Sequence, residues 1–262
     1  MAALRAVGGY SVMDAFDRAH SPADAAAGVD LLIIATPDAA VAEVAAQVRP
    51  NPDAVVLHLS GSLGLDVLAP HPHRASLHPL VPLPNPEVGA SRLRSGVTFA
   101  VAGDPAAAAM AEALGGQIVE VADEQRASYH TAATVAANHL VALLGQVERI
   151  AATAGLPLSA FAGLIRAAAE DGLALGPGPA LTGPAMRGDW STLDRHRSVL
   201  GSMTGGRTEL VAYDAMVGLA RRLSMDTPNL EVGAEVGAAS DSETVPTPEA
   251  NLDTPTAVEQ VA

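Results

Sequence analysis

A doubly wound, parallel α/β sheet followed by an all-α region is the fold class that three features of the sequence predict. Over residues 1–122 strand-like and helix-like segments alternate, the pattern of right-handed crossovers with helices on both faces of one sheet. After Asp123 the pattern changes to helices only, through residue 224. From Met225 to Ala262 there is no aromatic residue and no sustained apolar period, with Pro, Thr and Glu scattered throughout, so this tail is expected to be disordered.

"YSVMDAF" is the first strand candidate, and "SPADAA" opens a helix with Ser21 as N-cap, Pro22 at the first helical position and Asp24 placed for a capping box. "DLLIIATPD" reads as a continuous apolar strand of the kind buried on both faces of a parallel sheet. The helix after it carries Val41, Val44, Ala45 and Val48 at i, i+3, i+4 and i+7. "AVVLHLS" and "RASLH" are the next strands. "VTFAVAG" leads through Asp104 and Pro105 into a helix ended by Gly115 and Gly116, and "QIVEVA" closes the set. Between Glu124 and about Ala154 only Gly145 interrupts a run without Gly or Pro, which predicts one helix of about 30 residues, or about 45 Å. Its Ala, Val and Leu surface is too long to bury within a small domain, so a homodimer through the helical region is expected. Further helices are expected over 158–175, 191–203 and about 208–223.

An α/β domain that holds a dinucleotide ordinarily opens with a strand, a G-x-G-x-x-G turn and a helix. That motif is absent, and "MAALRAVGGYSV" reads as the end of such a first helix, its Gly8-Gly9 stop and the second strand. About 20 residues are then missing, through a start assigned too far downstream or a true truncation. At the end of that strand, "DAFDRAHS" would meet an adenine ribose. Asp17 suits a free 2'-hydroxyl and hence NAD, whereas Arg18 with Ser21 suits a 2'-phosphate and hence NADP, toward which paired guanidinium bonds tilt the reading.

Composition excludes several chemistries. The chain has no cysteine, which removes thiolate catalysis, disulfides and Cys-based zinc sites. Its 15 basic residues are all arginine, so there is no Schiff-base lysine and no lysine general acid. Eight acids of the net charge of −14 lie in the tail, leaving −6 for the rest. With a pI near 4.8 and no basic stripe, nucleic acid is not an expected partner. The longest strongly apolar run, "LLIIA", is far below the roughly 20 residues of a membrane span. No N-terminal leader is evident either, so a cytoplasmic location is expected.

The candidate site residues follow from position. Thr36 and Pro37 lie just past one strand and Ser60, Gly61 and Ser62 just past the next, where open α/β sheets bind ligands. A plain turn is the competing reading for each. In "ASLHPLVPLPNP" the proline at 79 pushes His78 toward extended geometry and ends the strand with an imidazole at that edge. His130, Thr134 and Asn138 recur at i, i+4 and i+8 on the long helix, a polar stripe whose partners would be substrate, a second subunit or trapped water. His139 falls on another face and reads as a core histidine. In "LTGPAMRGD", Arg187 suits a substrate carboxylate, and Asp189 reads as the N-cap of the next helix. The three histidines of "HPHRASLH" fit no common metal spacing.

Taken together, "DLLIIATPDAAVAEVA", "VVLHLSGSLGLDVL", "SLHPL", "YHTAATVAANHLVAL" and "ALTGPAMRGD" resemble the Rossmann-like oxidoreductases whose helical C-terminal half is a domain of unknown function. These lie within the 6-phosphogluconate dehydrogenase-like superfamily, near ketopantoate reductase, pyrroline-5-carboxylate reductase and prephenate dehydrogenase. The resemblance covers about Ala2 to Leu223. It implies a nicotinamide-dependent dehydrogenase or reductase, often dimeric through the helical domain, with its site in the cleft between domains. Several superfamily members carry a lysine four residues before the asparagine matched by Asn138, where this chain has Thr134. A His-Pro pair like that of His78 occurs in prephenate dehydrogenases. The expectation is therefore hydride transfer between NADP, or NAD, and a small carboxylate-bearing C=O or C=N substrate. His78 or His130 would move the proton, with Asn138 placing the reacting group and Ser60, Ser62, Thr134 and Arg187 holding substrate. Arg18, Thr36, Pro37 and Gly61 would contact the cofactor. The competing expectation is a non-catalytic binding or scaffold protein without its cofactor loop.

Overall fold

A computed structural model describes residues 2–7, 9–13 and 21–226. Asp17, Arg18 and the tail beyond Asp226 lie outside the described residues. The chain divides into two compact units, residues 1–163 and 164–262, so the boundary falls later than the one expected after 122. The long helical segment groups with the sheet because its first turn is pinned there, through Arg126 to Ser76 and Tyr129 to His78.

The first unit is built on five strands in the order β1 (Leu31–Ile34), β2 (Val55–His58), β3 (His73–Pro79), β4 (Thr98–Gly103) and β5 (Gln117–Glu120). All neighbours pair in parallel except β3 and β4, which are antiparallel in the register Leu77 to Val101 and His78 to Ala100. The reversal follows from the connection. Prolines at 82, 84 and 86 leave room for only one short helix between these strands, and Leu80 N–H still donates to Thr98 across the pair at 2.8 Å. The strand expected in "YSVMDAF" is not formed over residues 10–13, and its remainder lies outside the described residues. β1 is thus an edge strand among the described residues and only partly buried, unlike the two-sided burial expected of it.

Alternation along the strands sorts the side chains onto two faces. Leu57, Ala75, Leu77, Phe99 and Val101 point to one face and pack against α1 (Ala2–Ala6) and α4 (Ala106–Ala113) through Leu4, Met110 and Leu114. Val56 points to the other, joining Ile34, Leu68 and the Val41 and Ala45 stripe of α2 (Asp38–Gln47). A short α3 (Pro86–Arg92), capped by Asn85, precedes β4. The helix expected at "SPADAA" is a single 3-10 turn, Pro22–Asp24. Ser21 does cap it, but Asp24 turns to the Arg49 guanidinium and Gly28, at φ +71°, ends the helical course.

The single long helix expected from 124 to 154 is instead a 3-10 turn (Asp123–Gln125), α5 (Arg126–Thr134), a π-helical turn (Val135–His139) and α6 (Leu140–Thr153). Of its polar stripe His130 and Thr134 are half-buried and Asn138 is exposed. His139, expected in a core, is exposed as well. α7 (Ala162–Ala174) follows, and the second unit continues with α8 (Pro177–Ala180), α9 (Pro184–Arg187), α10 (Trp190–Ser202) and α11 (Gly206–Asp226). Leu193, Leu200 and Val217 are buried there, and Asp189 caps α10 by accepting from Thr192 N–H at 3.1 Å. Among the described residues no single helix is long and apolar enough to cross a membrane.

Candidate active site

The face of the sheet that carries α2 becomes polar toward the C-terminal ends of the strands. By register and alternation His58, Ser76 and His78 share that face, and α5 begins against it. Arg126, only 1% exposed, donates through Nε to Asp123 at 3.1 Å and through a terminal nitrogen to Ser76 Oγ. Its other terminal nitrogen has no partner. Asp123 in turn accepts from Leu65 N–H at 2.8 Å, and a Cβ at Gly64 would stand 2.8 Å from that carboxylate. The loop after β2 is thereby clamped to the start of α5.

His78 ends β3 as its proline-flanked position predicts. Its Nδ1 lies 2.6 Å from the Tyr129 hydroxyl, and the two rings meet edge to face at 5.7 Å. Burial pushes the Tyr129 phenol up, with Arg126 pulling against it, so the phenol keeps its proton and donates to Nδ1. The neutral imidazole therefore carries its own proton on Nε2, its free side. Burial, then His130 and Arg126, push the His78 imidazole below its ordinary value, while Asp38 opposes them. His130 lies edge to face with His78 at 6.1 Å. Gly61 fits between the two histidines: a Cβ there would come within 2.9 Å of His78 and 3.0 Å of His130.

Ser60 and Ser62, expected to hold substrate, spend their hydroxyls on Asp38. Both donate to the same carboxylate oxygen, Oδ2, at 2.7 Å. Ser60 Oγ also accepts from the backbone N–H groups of Ser62 and Leu63, which makes this turn a rigid cradle. Burial acts to raise the Asp38 pKa, but hydrogen bonds from Ser62 and Ser60 and the nearby His130 and His58 outweigh it, and the carboxyl is held below the usual range. Beneath the cradle His58 is fully buried. Its Nδ1 accepts from Ser60 N–H at 3.2 Å, and burial, then Arg126, push its pKa down against the Gly64 backbone, Asp38 and Asp123. At the end of β1, Thr36 buries a hydroxyl oxygen that has no partner, and Pro37 starts α2.

Thr36, Pro37, Ser60, Gly61, Ser62, His78 and His130 thus lie together at the strand ends of the first unit. Thr134 and Asn138 continue from there along the helix. Arg187 ends α9 in the second unit, exposed and without an ion pair among the described residues. The histidines of "HPHRASLH" separate: His71 bonds the Ala45 carbonyl at 2.9 Å, His73 faces Asp104 at 3.6 Å, and only His78 reaches the site. Asp38, Tyr129, Arg126 and His58 were not foreseen as site residues. Asp38 and Tyr129 sit beside residues that were, within "ATPD" and "YHTAAT", and the adjacency was the available signal. Nothing in the sequence marks Arg126 as buried.

Residues 16–84 match the model of a Rossmann-like domain, and residues 96–218 match that of a domain of unknown function, DUF2520. Among solved structures, a protein from Thermotoga maritima superposes with a TM-score of 0.62 at 29% identity, over 74% of this chain and 77% of that one. A Bacteroides fragilis protein named as a candidate NADP oxidoreductase superposes with a TM-score of 0.61 at 22% identity, over 74% and 75% of the two chains. No curated protein matches the sequence.

Proposed function

We propose, for a chain that carries a Rossmann-like domain followed by a DUF2520 domain, that it is a nicotinamide-dependent oxidoreductase acting on a small carboxylate-bearing C=O or C=N compound. One observation carries the reading: an imidazole whose proton is directed by Tyr129 stands at the ligand edge of such a sheet, in the same unit as the unpartnered Thr36 hydroxyl. The name of the Bacteroides fragilis relative agrees with it.

A buried hydroxyl without a partner is costly unless a ligand supplies one, and Thr36 Oγ1 suits a ribose hydroxyl at the nicotinamide end. Thr36, Pro37 and Gly61 would line that end. Arg18 is the residue read as the 2'-phosphate contact, which makes NADP the cofactor. When bound, a reduced nicotinamide supplies hydride to the substrate carbon. The protein's own part is to place that carbon and to manage the proton. His78 offers its Nε2 proton to the substrate heteroatom or takes it back, Tyr129 fixes which nitrogen does so, and the Asp38 cradle sets the turn on which Gly61 sits. Asn138 and Thr134 are candidates for holding the reacting group, and the unpaired Arg187 guanidinium is suited to a carboxylate. We further propose that the protein works as a cytoplasmic homodimer.

Oxidation of NADPH followed by absorbance, against keto acids and cyclic imines, tests the reading. Turnover is expected, and His78→Ala should lower it about 10²–10⁴-fold with cofactor affinity unchanged; no turnover with any substrate would refute it. The absence of a G-x-G-x-x-G turn from the sequence favours a second reading, a binding protein without catalysis. Micromolar NADP affinity by calorimetry would contradict that alternative.

A further inference from the structure

We propose that the substrate presents a positively charged nitrogen, a protonated imine, and that the free oxygen of Asp38 is its counter-ion. This rests on the oxidoreductase reading above and narrows it to C=N chemistry.

The cradle is the first argument. Ser60 and Ser62 both bond Oδ2 of Asp38 at 2.7 Å, and Ser60 is itself held by two backbone N–H groups. Oδ1 takes no hydrogen bond from the described residues, and the side chain is exposed. A carboxylate fixed by one oxygen and open at the other is preorganised for a cation, because its orientation is settled before the ligand arrives. The helix dipole of α2 also favours the anionic form at this first-turn position.

Proton balance is the second. When a ketone accepts hydride, its oxygen must gain a proton from the protein or solvent. The chain has no lysine, the Tyr129 phenol is pushed up and used on His78, and the His78 imidazole is pushed toward its neutral form. A protonated imine removes the demand. Hydride from the reduced nicotinamide adds to carbon, the C=N π pair becomes the nitrogen lone pair, the nicotinamide is oxidised, and a neutral amine results with no proton drawn from a side chain. That amine then takes a proton from solvent and leaves as an ammonium ion.

The test uses isosteric five-membered rings and the whole chain. With NADPH, 1-pyrroline should be reduced at least about tenfold more efficiently than cyclopentanone, and Asp38→Asn should lower kcat/KM for the imine about tenfold or more while changing the ketone little. Calorimetry supplies a readout apart from turnover: pyrrolidinium should bind more tightly than cyclopentanol, and Asp38→Asn should erase the difference. Asp38→Glu guards against misfolding and should recover part of the imine preference. Equal use of imine and ketone, or equal losses for both in Asp38→Asn, overturns the proposal while leaving the oxidoreductase reading intact. Asp38-dependent pyrrolidinium binding with no NADPH oxidation upholds the counter-ion and refutes that reading.

Discussion

Gly61 shows how tightly the site is drawn. A methyl group there would come within 2.9 Å of the His78 ring and 3.0 Å of the His130 ring, so Gly61→Ala must displace one of them. We expect about 1–3 kcal/mol of destabilisation by denaturant unfolding and a loss of turnover larger than that cost explains. His58 gives a second residue-scale test. Its pKa is lowered from 6.5, so the unfolded chain binds the proton more readily than the folded one. Its stability contribution is therefore fully present above 6.5 and is lost as pH falls below 6.5 through the folded value. Urea unfolding at pH 7.5 and 5.5 should show the decline, and His58→Gln should flatten it in that window. These residues were only partly legible in the sequence. His78 announced itself through the proline that follows it, because a local steric rule acts on neighbours in the chain. Tyr129, 51 positions away, is coupled to it only by folding.

At the scale of elements, the start of α5 is the joint between helix and sheet. Arg126→Ala removes the donor to buried Ser76 and leaves a cavity, and should cost about 2–4 kcal/mol. Arg126→Met keeps much of the volume but removes the charge, so the His58 and His78 pKa values, which Arg126 depresses, should rise in an NMR titration. The π turn at Val135–His139 is a second element with a testable role. Positions four apart on an α-helix drift by about 40° around the axis, as 3.6 residues per turn requires. A turn with i→i+5 bonds counters that drift and brings Asn138 back toward the side of His130 and Thr134. Deleting Ala137 should restore a regular α-helix, keep the far-UV circular dichroism and reduce turnover. The helix itself was predictable from a run with one Gly and no Pro, whereas its π turn left no propensity signal. The antiparallel β3 and β4 pair was equally silent, since alternation reports strands but not their direction.

For the whole molecule, the second unit leaves Leu173 at 89% and Val211 at 65% exposure, and Val141 in the first unit is at 67%. Apolar exposure on this scale along helices marks a surface that a further chain would cover. Sedimentation should give twice the 26.4 kDa chain mass, and Leu173→Glu should shift it toward the monomer if that surface is the interface. Period and punctuation, which are local, determined the strands and helices, the polar strand ends and the absence of lysine and cysteine chemistry. Tertiary structure alone decided that Asp38 would hold both serines, that Tyr129 would direct the His78 proton, and that an arginine would be buried beneath them. Each of those depends on side chains far apart in sequence meeting on one face of a sheet. Such meetings are set by strand register and helix docking rather than by neighbouring residues.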